Sequence, residues 1–247
     1  MVRELATGLG FAQIRVMPCG QHALGKRFNV DDASRLSMLR AAFSGLSDVC
    51  LDLYEMKSSA PSYAVDSCRR HRATANGAPL FFIVGSDVLG ELHRWERWQD
   101  ILLFSNLLIV RRPGQRKLTS EIDWAAMLKD LSGAQQAEEP AGGCDASERL
   151  LHELLETEGA SPEVASVLRS AGQRAAGKSL AEMDVNGVVV CAELTQWPLS
   201  SSIVRAALAI YDSAVSSELA GPVQDWLQAA LPAQVWSYIK SNKLYLA

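Results

Sequence analysis

The sequence predicts an α/β protein: a doubly wound, mainly parallel sheet with an inserted helical hairpin. Short apolar runs alternate with helical patterns through residues 1–114, the signature of strand-helix units. The run Leu80-Phe81-Phe82-Ile83-Val84 has no polar interruption, as a strand covered on both faces requires. The alternation then breaks once in the middle of the chain and resumes. With 247 residues, 48% of them apolar, the chain can bury a substantial core.

Strands are expected at Ile14–Met17, Val49–Leu53, Leu80–Val84 and Leu107–Val110. Between the first two, Asp31 or Asp32 can cap a helix whose Leu36, Leu39 and Phe43 share a docking face. Ser62 is the expected cap of a helix running through Arg72. Gly85-Ser86-Asp87 follows the apolar strand directly, and open α/β sheets bind ligands in such loops at the carboxyl ends of strands. After Arg111-Arg112-Pro113-Gly114 the composition changes, and Ser132–Asp145, rich in Ala, Gly, Gln and Glu without a period, predicts a flexible loop.

Two helices come next. Asp145 or Ser147 opens one that continues through Glu156, and Ser161-Pro162 opens the other with a cap serine and a first-turn proline. The α/β pattern returns with a strand at Val188–Cys191, a helix at Ser200–Ile210 and a closing helix at Pro232–Ser241. This organisation divides the chain into an α/β domain, residues 1–131 and 187–247, lacking its first strand, and a loop-and-helix insertion over 132–186.

Several classes of function are disfavoured. No apolar run approaches the roughly 18 residues of a spanning helix, and Met1–Gly10 lacks the apolar centre of a signal peptide. Cys19, Cys50, Cys68, Cys144 and Cys191 form no C-x-x-C pair, which fits reduced thiols in a cytoplasmic setting and argues against zinc. A net charge of -4 gives no basic footprint for nucleic acid, and Arg69-Arg70-His71-Arg72 reads as a solvated helix face.

Five motifs occur in a telling order: Pro61-Ser62-Tyr63, Gly85-Ser86-Asp87, Arg94-Trp95 with Trp98 close behind, Arg111-Arg112-Pro113-Gly114, and Leu199-Ser200-Ser201-Ser202-Ile203-Val204-Arg205. With the ending Leu231-Pro232 through Tyr238-Ile239 and Leu244-Tyr245, this order and spacing resembles the bacterial-type nicotinate-mononucleotide adenylyltransferases. The resemblance covers roughly Ile14 to Pro113 and Val188 to the C-terminus. It implies a nucleotidylyltransferase fold and transfer of AMP from ATP, with Mg²⁺ on its phosphates, to nicotinate mononucleotide, giving deamido-NAD.

The resemblance also assigns residues. Ser201, Ser202 and Arg205 would hold nucleotide phosphates, because a helix start offers free N–H groups and arginine adds a charged fork. On composition alone the same segment is a serine-capped helix with a surface arginine. Gly85 and Asp87 would meet a ribose, Trp95 would stack on the pyridine, and Arg111 or Arg112, of which Arg112 is taken as the site residue, would meet a carboxylate or phosphate. Each has a plain alternative as a strand-ending turn, a core tryptophan or a surface arginine. Lys26 would be a phosphate contact, although the family's P-P-H-K reads His22-Ala23-Leu24-Gly25-Lys26 here.

The departures bear on catalysis. Family members begin with a strand and G-x-F-D-P-x-H-x-G-H, whereas Met1–Gly10 resembles the helix that follows it; that segment is expected upstream of Met1. None of His22, His71, His93 and His152 forms an H-x-x-H pair, so no catalytic residue and no metal ligand is assigned, and turnover is expected far below that of a complete enzyme. Ala64 stands where the family has a threonine, which removes a hydroxyl contact worth about 0.5–1.5 kcal/mol. The alternative reading is a catalytically inactive relative acting as a nucleotide-binding or assembly module, with residues 142–177 as the surface for a protein partner.

Overall fold

The computed structural model describes residues 2–23, 25, 28–111, 127, 144–175, 178–194, 200–213 and 220–245. In chain order its main elements are α1 (Val2–Gly8), β1 (Ile14–Val16), α2 (Asp32–Phe43), β2 (Val49–Leu51), α3 (Ala64–Arg72), β3 (Phe81–Gly85), α4 (Ile101–Phe104), β4 (Asn106–Val110), α5 (Cys144–Thr157), α6 (Pro162–Gln173), β5 (Val189–Ala192), α7 (Ser201–Ser213), α8 (Ala220–Ala230) and α9 (Ala233–Ser241). They fall into two compact units: Met1–Phe11, Ala60–Arg112 and Gln136–Thr195 in the first, Ala12–Ser59, Pro113–Gln135 and Gln196–Ala247 in the second.

The first unit is organised by β4, all five of whose residues are buried. It pairs in parallel with β3 on one side, Phe81 opposite Asn106 through Gly85 opposite Val110, and with β5 on the other, Leu107 opposite Val189. Asn106 puts a polar amide into this strand and satisfies it: its Nδ2 donates to the Asp184 carbonyl at 2.8 Å and its Oδ1 accepts from the Val188 N–H at 2.9 Å. The paired amide ties down the entry to β5.

The helix pair α5–α6 covers this sheet. Leu150, Leu151, Leu154 and Leu155 form one stripe on α5, Val164, Ala165, Leu168 and Ala171 form another on α6, and both share a core with Val84, Leu107, Ile109, Val189 and Cys191. Helix α6 starts as its sequence dictates, with Ser161 Oγ accepting the Val164 N–H and Pro162 in the first turn. Helix α5 begins at Cys144, so Ser147 lies inside its first turns rather than at its cap. The Ser147 hydroxyl instead accepts the Cys191 N–H at 2.8 Å. Helix α3 likewise departs from expectation: its cap is Tyr63, not Ser62, and the Tyr63 carbonyl takes the N–H groups of Asp66 and Ser67. The expected loop over 132–143 lies outside the described residues.

In the second unit β1 and β2 pair in parallel, Ile14 opposite Val49 and Val16 opposite Leu51. Asp31 caps α2 with both carboxylate oxygens, one on the Ser34 N–H at 2.9 Å and one on the Ser34 hydroxyl at 2.8 Å. The core gathers Ile203, Ala207 and Leu208 of α7, Val223, Trp226 and Leu227 of α8, and Val235, Trp236 and Ile239 of α9. Each triplet follows the three-to-four spacing of a helix face. Among the described residues no helix is long and apolar enough to cross a membrane.

Candidate functional site

Three of the residues singled out in the sequence lie on the connection from β3 to β4, in the first unit. Gly85 ends β3 with φ -76° and ψ 153°, an extended conformation open to any residue, so its backbone angles do not explain a glycine there. A 3-10 turn at Ser86–Val88 follows and carries the half-buried Asp87. Trp95 ends the next such turn, Leu92–Arg94, half-buried with its ring edge-on to Phe82 at 6.4 Å. It also packs against the cluster of Val65, Cys68 and Ile101, so it has a structural task whatever else it does. Trp98 is buried in the main core. Arg97 between them takes a left-handed conformation, φ 48°, which non-glycine residues adopt at a cost.

The turn after β3 is tied to the helix pair in a way the sequence did not foretell. Ser86 is fully buried, and its hydroxyl donates to Glu158 Oε1 at 2.8 Å. A Cβ on Gly90 would stand 2.6 Å from the Glu158 carbonyl oxygen, so only glycine lets the two backbones come this close. At the end of β4, Arg111 donates its N–H to the Ala192 carbonyl, and its guanidinium pairs with Glu153 of α5 and, at 3.7 Å, with Glu193. These partners are far apart in the sequence, 72 positions for Ser86 and Glu158, and no local pattern marks them. Burial pushes the Cys191 thiol up to about 12, against the pull of Arg111, which makes it a packed hydrophobe rather than a nucleophile. Arg112 lies outside the described residues.

In the second unit, Ser200 is the cap of α7: its hydroxyl accepts the Ile203 N–H at 3.2 Å and its carbonyl the Val204 N–H at 3.0 Å. Ser201 and Ser202 stand exposed in the first turn, and the half-buried Arg205 reaches the Ser202 hydroxyl at 3.5 Å. From α7, Arg205, Ala206 and Ala209, but neither Ser201 nor Ser202, line a cleft of about 740 Å³, within the roughly 300–1,000 Å³ of small-molecule sites. Arg205 and Ala209 form one wall, Asp31 another, and Lys243 and Tyr245 of the C-terminal turn a third. Hydrogen bonds from Ser34 hold the Asp31 carboxyl below its usual range. Burial raises the Tyr245 phenol, with Arg205 and Arg35 pulling the other way. Lys26 lies outside the described residues. Among the described residues no group of three His, Cys, Asp or Glu side chains could hold a metal ion. What the α7 start offers is amide dipoles and positive charge, the equipment of an anion site.

The parallel strands and their covering helices make a Rossmann-like α/β fold. Among solved structures, the chain resembles Plasmodium falciparum nicotinic acid mononucleotide adenylyltransferase complexed with NaAD, at a TM-score of 0.52 and 13% identity, over 95% of this chain and 82% of that one. Its sequence homologues carry the same activity in their names. It is 35% identical over 130 residues to the "Probable nicotinate-nucleotide adenylyltransferase" of Pectobacterium atrosepticum, covering 52% of this chain and 61% of that protein. It is 33% identical over 104 residues to the one from Hahella chejuensis, covering 42% and 48%, and 34% identical over 112 residues to the one from Cellvibrio japonicus, covering 45% and 53%. The chain thus spans about half the length of the curated relatives it matches. No family model matches it.

Proposed function

We propose that this chain serves nicotinate-nucleotide adenylyl transfer, binding ATP and nicotinate mononucleotide in the cytoplasm for the formation of deamido-NAD and pyrophosphate. The observation that carries the reading is the identity of 33–35% to several relatives named for that activity. In this reaction the mononucleotide phosphate attacks the α-phosphorus of ATP in line, and the protein contributes position and positive charge. Arg205, with the amides and hydroxyls at Ser201 and Ser202, holds phosphate, and Lys26 adds to it. Asp87 accepts from a ribose beside Gly85, Trp95 faces the pyridine, and Arg112 meets the nicotinate carboxylate or its phosphate. Mg²⁺ would come with the phosphates of ATP and would offset their charge.

Incubation of the purified chain with ATP, Mg²⁺ and nicotinate mononucleotide should yield deamido-NAD, read by chromatography against a protein-free control. Binding of both substrates without product would favour the second reading, a nucleotide-binding or assembly module. One observation supports that alternative: Arg111 is already engaged by Glu153 of the helix pair and by Glu193, which leaves it less positive charge for a ligand.

A further inference from the structure

The cleft of the second unit is bounded on one side by the C-terminal turn, which no motif of the sequence singled out for binding. Two of its residues, Lys243 at φ 50° and Tyr245 at φ 59°, are left-handed without being glycine. Such a conformation is costly for bulky side chains, and both residues line the cleft together with Arg205. Among the described residues neither Arg205 nor Lys243 ends in an ion pair. By contrast, Arg35 nearby is held by Asp32 at 2.8 Å and by the Cys19 carbonyl, and stacks on Phe28. Asp31 is the one carboxylate on the wall, and both its oxygens are occupied by Ser34. The lining therefore carries two available cations against one internally satisfied carboxylate.

We propose that Lys243 and Arg205 form the two jaws of a phosphate-binding cleft, with Tyr245 as its wall, and that Lys243 is a positioning residue for the polyphosphate of the nucleotide. The proposal rests on the reading of the chain as an ATP user only for the identity of the ligand; the anion site itself follows from the cleft. An ammonium on a flexible stem suits a polyphosphate, whose charge is spread over several oxygens, while the guanidinium fixes one phosphate through paired N–H groups.

Titration calorimetry of the full chain with tripolyphosphate and with ATP tests this. Lys243→Asn removes the charge and keeps a side chain that tolerates the left-handed backbone; it should weaken tripolyphosphate binding by roughly tenfold, the order expected of one lost charge-assisted contact. Lys243→Arg should restore most of the loss. Lys240→Ala removes the same charge from α9, where Lys240 lies over Trp236 at 5.4 Å, and should change little. Unchanged binding by Lys243→Asn, or an equal loss in Lys240→Ala, overturns the proposal and leaves the adenylyl-transfer reading standing. Binding of tripolyphosphate through Lys243 without binding of ATP upholds the cleft and overturns ATP as its ligand. Binding of neither overturns both.

Discussion

Cys191 is buried on β5 beneath the Arg111 pairing, and its displaced titration has a consequence for stability. The unfolded thiol ionises near 9.0 and the folded one near 12. Below pH 9 both states keep the proton, so the contribution is fully present. As pH rises from 9 towards 12 the unfolded chain releases a proton that the folded chain retains, and stability falls by about 1.4 kcal/mol per pH unit from this group. Urea denaturation at pH 8 and pH 10 should therefore show a steeper loss in the natural chain than in Cys191→Ala; equal losses would place the alkaline sensitivity elsewhere. Asp31 offers a second test at this scale. Asp31→Ala should lower stability through the lost cap, whereas Asp31→Asn keeps a capping side chain and should lower it much less. Both variants remove the carboxylate from the cleft and should tighten tripolyphosphate binding, so denaturation and titration together separate the capping role from the electrostatic one.

The elements differ in how far the sequence revealed them. The strands at Val49, Phe81, Leu107 and Val189 were legible because uninterrupted apolar runs have few alternatives in a parallel sheet, the one at Ile14 because its apolar residues flank Arg15 in alternation, and α6 because Ser161-Pro162 states its own start. Helix α8 was not, since Gly221-Pro222 reads as a breaker although a proline in a first turn costs no hydrogen bond. The cap of α5 was misplaced because a serine near a helix start is a cap only if its hydroxyl is not wanted elsewhere, and Ser147 is wanted by Cys191; at α3 the helix opens one residue later, on the Tyr63 carbonyl. Nor could a local pattern reveal that the helix pair closes on the turn after β3, because that contact depends on Gly90 and Glu158 meeting in space. Gly90→Ala should destabilise the protein by about 1–3 kcal/mol, the usual cost of overpacking, because backbone rather than a flexible side chain would have to move. Thermal unfolding measures it, and a variant as stable as the natural chain would show that the turn between α5 and α6 yields freely.

On the scale of the whole molecule, the residues assigned by resemblance are shared between the two units: Gly85, Asp87 and Trp95 belong to the first, Ser201, Ser202 and Arg205 to the second. The two substrates of adenylyl transfer differ in the matching groups: nicotinate mononucleotide carries the pyridine and ATP the polyphosphate. If the assignment holds, Trp95→Leu, which keeps apolar bulk against Phe82, should weaken nicotinate mononucleotide by about 1–3 kcal/mol through lost stacking and leave ATP nearly unchanged. Arg205→Ala should do the reverse, weakening ATP and sparing the mononucleotide relative to it. Calorimetric titration of the natural chain and the two variants with both ligands, at matched thermal stability, decides the matter. A Trp95→Leu protein that loses both ligands equally would mean that the tryptophan acts through the core it helps to fill, and the pyridine contact would have to be sought in another residue.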